Sequence, residues 1–199
     1  MTARFVYWMN VSLDLRIERT AGEEGGGEWL RIDEELHREF NARAARMSMM
    51  VEGRKIYEIM EAYWPAASQD ASLPDYLREY GGIWTSASKV LVSRTRTSAQ
   101  HNTRVIGGAG SNAVEELGML RAEADGDIGV GGATLATELL RAGLLDELLL
   151  FTHPVVLGEG RPLFDPPASG ARVEPVQLDL LEQRSFAQGV TMHRYAVRG

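Results

Sequence analysis

The sequence predicts an α/β domain with a mostly parallel central sheet flanked by helices and closed by a C-terminal antiparallel hairpin. Short runs of β-branched and aromatic residues alternate with amphipathic runs along most of the 199 residues. That is the pattern of strands joined by helical crossovers. Several of the strand runs also end in glycine or small polar residues that lead straight into a helix. Near the C-terminus the alternation stops, and Val173–Phe186 and Val190–Val197 flank the turn Ala187-Gln188-Gly189 as a hairpin would.

Composition sets the bounds. The chain is 44% hydrophobic with no repeat or linker, enough for one sizeable core, so residues 1–199 read as one domain. A net charge of −7 argues against general affinity for nucleic acid or an anionic membrane, so any phosphate must be held by local groups. Of 21 basic residues only Lys55 and Lys89 are lysine. Without cysteine there is no disulfide, thiolate nucleophile or Cys-based metal site, and His37, His101, His153 and His193 are too scattered to suggest a metal. No apolar run approaches the ~18 residues of a membrane span, and the N-terminus lacks a signal-peptide pattern. The expectation is a cytoplasmic protein without a metal.

Arg4–Leu13 reads as a buried strand, with Asp14 at its carboxyl end. In open α/β sheets ligands gather there, so Asp14 is either an acid group of the site or the cap of a turn. The acidic loop Ala21–Glu28 precedes Trp29, which either closes over a ligand or anchors the next helix. Asp33 opens that helix, with acids in its first turn and Leu36, Phe40 and Ala44 as its buried stripe. His37 and Asn41 beside the stripe face either solvent or a crevice.

Met47–Glu52 is the next strand, and Gly53-Arg54-Lys55 carries it into a helix with two cations in its first turn. That placement opposes the helix dipole; a bound phosphate would explain it, as would two long side chains reaching into water. Asp75–Gly81 reads as a short helix. The strand Ser88–Ser93 ends in the basic turn Ser93-Arg94-Thr95, and Thr103–Ile106 is a weak strand before Gly107–Ala113. Gly108-x-Gly110-x-x-Ala113 formally matches a dinucleotide fingerprint, with Asp125 and Asp127 beyond it, but the strand before it is too short and polar for that fold.

The stretch Asp127–Leu145 then runs from an apolar strand through Gly131-Gly132 into a helix that begins with Ala133, Thr134 and Leu135. The first N–H groups of such a helix are unpaired and can cradle a phosphate; the same glycines also serve a plain tight turn. Asp146–Leu157 reads as a long strand in which Pro154 marks a bulge or edge, and His153 as a satisfied strand histidine. Glu159 sits between Gly158 and Gly160 at a strand end, where it can meet a substrate. If the strands are parallel neighbours, the turns at 53–55, 93–95 and 131–135 share one sheet edge, and one long anionic ligand can touch all three.

With these pieces in place the sequence resembles the dihydrofolate-reductase-like superfamily, and within it stand-alone proteins similar to the C-terminal reductase domain of riboflavin-biosynthesis deaminase/reductases. The resemblance rests on VSLD at Val11–Asp14, GRKIYE at Gly53–Glu58, VSRT at Val92–Thr95, DIGVGGATLATELLRAGLLDEL at Asp127–Leu148 and HPVVLGEGRPLF at His153–Phe164. It implies NADPH lying across the strand ends and a homodimer. Gly53, Arg54, Lys55, Ser93, Arg94 and Thr95 would then hold the adenosine and its 2′-phosphate, with Gly131, Gly132, Ala133, Thr134 and Leu135 around the pyrophosphate. Leu15 replaces the glycine usual after SLD, and Ile56 the usual threonine.

The expected function is an NADPH-dependent reductase delivering hydride to a small heterocyclic or imine-like substrate, of the 5-amino-6-(5-phosphoribosylamino)uracil or pterin type. Asp14 is the candidate for protonation or substrate orientation, and Trp29 and Glu159 are the candidate pocket residues. The alternative is a catalytically silent NADP(H)-binding or sensor protein.

Overall fold

The computed structural model describes residues 3–19, 27–167 and 174–198. In chain order the elements are β1 Phe5–Ser12, β2 Arg16–Glu18, α1 Glu34–Ala44, β3 Met49–Gly53, α2 Arg54–Ala67, α3 Asp75–Ser86, β4 Lys89–Val92, β5 Thr103–Ile106, α4 Ala113–Glu123, β6 Ile128–Gly131, α5 Ala133–Arg141, β7 Leu145–His153, β8 Arg161–Pro162, β9 Leu178–Ser185 and β10 Thr191–Val197. Most of the acidic loop expected at 21–28, and the start of the expected hairpin at 173, lie outside the described residues.

Eight strands form one sheet in the order β5-β4-β3-β6-β1-β7-β10-β9, and β2 pairs with β8 in a separate two-stranded ribbon. β5 through β7 run parallel, while β10 is antiparallel to both β7 and β9. The expected architecture is therefore the observed one. β1 lies near the middle, with Phe5, Val6, Tyr7 and Val11 all buried, as a parallel strand covered on both faces requires.

Alternation along the strands divides the core. Phe5 and Tyr7 pack with Leu117 of α4 and with Leu135 and Leu139 of α5, whereas Val6 packs with Leu36 and Phe40 of α1. Beside α1, Tyr57 of α2 and Trp84 of α3 join Met50 and Leu91 beneath the β3–β4 half of the sheet. Each fully buried large apolar side chain contributes about 2–3 kcal/mol, so these clusters dominate the fold's stability.

Three local expectations need correction. α3 runs to Ser86, well past the expected end at Gly81, because Gly81 serves as a packing residue: a Cβ there would lie 2.7 Å from the Trp64 carbonyl oxygen of α2. β7 ends at His153, so Pro154 lies just beyond it. His37 and Asn41 face neither solvent nor a crevice; both are buried, His37 among Phe40, Trp64, Tyr76 and Tyr80, with its Nδ1 3.1 Å from Asn41 Oδ1. Burial lowers the His37 pKa, keeping it neutral. Gly107–Ala113 leads into α4, which Asn112 caps through the N–H groups of Val114 and Glu115.

Candidate active site at the strand ends

Because β4, β3 and β6 are parallel and adjacent, the turns that follow them at 93–95, 53–55 and 131–135 stand side by side on one edge of the sheet. The two glycine turns, at 53–55 and 131–135, lie within van der Waals reach of each other. A Cβ on Gly53 would lie 3.7 Å from the Gly131 carbonyl oxygen, and one on Gly132 would lie 3.8 Å from the Gly53 nitrogen. Gly132 also has φ +107°, a conformation that strains any side-chain-bearing residue. The turn after β5 joins the row, since a Cβ on Gly107 would sit 3.6 Å from the Ser93 nitrogen.

Two helices begin in this row without a side-chain cap, α2 after Gly53 and α5 after Gly132. Their first N–H groups are left to water or to an anion. Of the cations there, Arg54 pairs with Glu58 on its own helix at 3.0 Å and Lys55 with Glu18 of β2 at 2.5 Å. These pairs answer the dipole objection in a way the sequence did not show. Arg94 is exposed and has no ion-pair partner among the described residues. Ser93 is buried, and its Oγ accepts from the Thr95 and Arg96 N–H groups at 3.2 and 3.0 Å, so it shapes the turn that presents Arg94 and Thr95.

In α5, Ala133 and Leu135 are buried, and the exposed Thr134 accepts from Arg161 of β8 at 2.8 Å. The β2–β8 ribbon thus crosses the same edge as a strap. Gly160, with φ +107°, has its Cβ position only 2.0 Å from the Glu18 carbonyl oxygen, so the two chain segments touch backbone to backbone.

Asp14 lies at the carboxyl end of β1, but it is fully engaged. Its carboxylate accepts from Ser12 Oγ at 2.7 Å, from the Leu157 N–H at 3.0 Å and from the Gly158 N–H at 2.9 Å. These bonds, the Leu157 N–H foremost, depress its pKa to about 2. These bonds make Asp14 a clamp on the loop after β7, through the N–H groups of Leu157 and Gly158. Leu15 adopts φ +57°, a conformation that glycine takes without strain.

His153 is completely buried: its Nδ1 accepts from the Arg31 N–H at 2.9 Å and its Nε2 lies 3.0 Å from Asn10 Oδ1. Burial, aided by the Arg31 charge, lowers its pKa to about 4, so it is a neutral structural group. Trp29 packs edge-on against the His153 ring, with centroids 5.5 Å apart, and Glu159 is exposed in the turn beside the strap. Both therefore lie at the β1–β7 end of the row, several strands from Arg94.

Two buried titratable groups escaped the sequence reading. Glu52, 5% exposed, accepts from Trp84 Nε1 at 3.1 Å through one oxygen, and its other oxygen has no partner. Burial raises its pKa to about 7. Lys89, 1% exposed, donates to the Trp84 and Ala87 carbonyl oxygens and lies over the Trp84 ring; burial lowers its pKa to about 8. The only legible signal was a glutamate one residue before the turn glycine.

A shallow hollow lined by Ser88, Lys89, Gln100, His101 and Arg104 lies at the opposite edge, by the amino ends of β4 and β5, and assembles no comparable set of groups. Among the described residues no group of three or more His, Asp or Glu could hold a metal ion, and no helix is long and apolar enough to cross a membrane.

The fold is an α/β domain with a mostly parallel sheet, and the three turns stand together at the carboxyl ends of its strands. Residues 5–192 match the RibD C-terminal domain model, and the chain belongs to that family. It is 30% identical over 197 residues to the uncharacterized protein YyaP of Bacillus subtilis, with 98% of this chain and 96% of YyaP covered. Among solved structures it is similar to a putative riboflavin biosynthesis protein from Shewanella sp. PV-4, with TM-score 0.69 and 17% identity over 98% of this chain and 99% of that one. It is also similar to a pyrimidine reductase-like protein from Corynebacterium diphtheriae, with TM-score 0.65 and 15% identity over 99% and 92% of the two chains. A deaminase/5-amino-6-(5-phosphoribosylamino)uracil reductase from Thermotoga maritima gives TM-score 0.64 and 15% identity; there the match covers 99% of this chain and 57% of the larger protein. The fold is that of the RibD-type reductases.

Proposed function

We propose that this protein is an NADPH-dependent reductase acting on the C=N bond of a small heterocyclic or imine-like substrate. One observation carries the reading: three neighbouring turns present two uncapped helix N-termini and an unpaired Arg94 along a single edge. The residues fit the cofactor. Gly131, Gly132, Ala133, Thr134 and Leu135 offer backbone N–H groups and no obstructing side chain to a pyrophosphate, while Gly53, Arg54, Lys55, Ser93, Arg94 and Thr95 offer a basic site to an adenosine 2′-phosphate. When bound, NADPH supplies the hydride.

The chain supplies binding and orientation. Arg94 meets the terminal phosphate, Asp14 fixes the loop that carries Glu159, and Trp29 walls the β7 end of the cleft. Asp14 and His153 are both engaged by hydrogen bonds within the chain, Asp14 with Ser12, Leu157 and Gly158 and His153 with Arg31 and Asn10. Family membership and the reductases named among the solved structures support the substrate class, including an aminouracil or pterin. The homodimer is proposed on the same footing, supported by Leu178, Leu180 and Leu181 of the edge strand β9, which are 40 to 52% exposed.

The test is fluorescence titration with NADPH and NADH, followed by stopped-flow oxidation of bound NADPH by a panel of aminouracils, pterins and imines. Tight binding of NADPH with turnover of at least one acceptor is expected; absence of NADPH binding removes the proposal. A second reading, a silent NADP(H)-binding or sensor protein, is favoured by the engaged state of Asp14 and His153. Binding with no oxidation by any acceptor would select it.

A further inference from the structure

The strap is tied to two turns of the cleft, and the ties are unequal. Arg161, which donates to Thr134, is balanced by Asp165 four residues on. Lys55 has Glu18 as its counter-ion, and the lysine is 59% exposed against 17% for the glutamate. The carboxylate is therefore held by the strap while the ammonium faces the cleft's solvent. Arg54 is engaged along its own helix and Arg94 has no counter-ion among the described residues, so Lys55 is the cation of the row that the strap pairs with.

We propose that Glu18 is a specificity-determining residue of the cleft, whose carboxylate cancels the charge of Lys55 and thereby restrains affinity for ligands bearing a terminal phosphate. This rests on the dinucleotide reading above. A carboxylate 2.5 Å from an ammonium leaves little net field for a distant anion. A phosphate monoester, carrying nearly two charges, competes for the ammonium where a neutral ribose hydroxyl does not. Glu18 thus sets how far the site prefers the 2′-phosphorylated dinucleotide. Glu18 lies in β2, a three-residue strand outside the motifs that carry the resemblance.

Fluorescence titration of Glu18→Gln with NADPH and NADH tests this. The amide keeps the side chain's shape and the backbone pairing of β2, so the thermal midpoint serves as the folding control. Removal of the charge is expected to tighten NADPH binding by about two- to fivefold, the range of one exposed ion pair, with NADH unchanged and a steeper salt dependence for NADPH. Glu18→Asp, which keeps the charge, is expected to keep the wild-type ratio of the two affinities. In a Lys55→Met background the effect of Glu18→Gln is expected to vanish. Equal tightening toward both dinucleotides, no change toward NADPH, or an undiminished effect without Lys55 overturns the proposal while leaving the dinucleotide reading intact. Wild-type protein that binds neither dinucleotide overturns both.

Discussion

The two ends of the same sheet treat charge in opposite ways. At the amino ends of the parallel strands, Arg4 bridges Asp127 and Glu147, and Arg194 of β10 reaches the same two acids, so the charges close into a ring. Beside it Arg121 pairs with Asp146 at 2.8 Å and donates to the Ala3 carbonyl oxygen. At the carboxyl ends, by contrast, two helices lack side-chain caps, Arg94 is without a counter-ion and glycine keeps the backbone open. Saturated charge is a device for joining strands, and unsaturated charge is an offer to a ligand.

The contrast is broken most directly at Glu147, which is 3% exposed and serves both arginines. Glu147→Ala is expected to cost about 2–3 kcal/mol, below the full price of a buried unpaired charge because Arg4 is half in water. Urea unfolding reads that loss, while NADPH affinity should stay at the wild-type value. A large loss of affinity with unchanged stability would reverse the assignment of the two ends.

A second test uses the buried acid between them. Glu52 titrates near 7 in the folded chain, above the ordinary carboxylate value, so the folded state holds its proton longer than the unfolded state does. Its contribution is fully present below about pH 4 and is lost as pH rises through 7. Glu52→Gln, which keeps an acceptor for Trp84, is expected to flatten stability between pH 5 and 8 and to add about 2 kcal/mol at pH 8. An unchanged pH profile in chemical denaturation would show that the carboxyl is paired in solution.

The smallest effect on stability and a clear one on binding belong to Arg94. Arg94→Ala is expected to leave the unfolding midpoint within about 0.5 kcal/mol of wild type, as for an exposed residue without contacts. It should weaken NADPH about tenfold, or about 1.4 kcal/mol, and spare NADH. Equal loss toward both dinucleotides would move Arg94 from the 2′-phosphate to the shared part of the cofactor.

The row of turns was legible because each is written locally: an apolar strand, a glycine or hydroxyl, then a helix. Their alignment followed once strand–helix alternation implied a parallel sheet. What was not legible depended on partners distant in the chain. For Asp14 the sequence leaves open a site acid or a turn cap, and the cap's partners, two N–H groups of the loop after β7, lie more than a hundred positions away. Lys89 reads as the polar start of a strand until Trp84 places its ring and its carbonyl against the ammonium. The strap pairs three residues with two across more than a hundred positions, too short a pattern for periodicity to reveal. Gly81 reads as a helix stop because its packing role requires knowing that α2 lies against it.

The contact at Gly160 has a mechanical consequence. With no clearance between its Cα and the carbonyl of Glu18, the two ribbon strands cannot slide past each other or change register. A side chain introduced at position 160 would push the two segments apart, and with them Glu18, which reaches Lys55, and Arg161, which reaches Thr134.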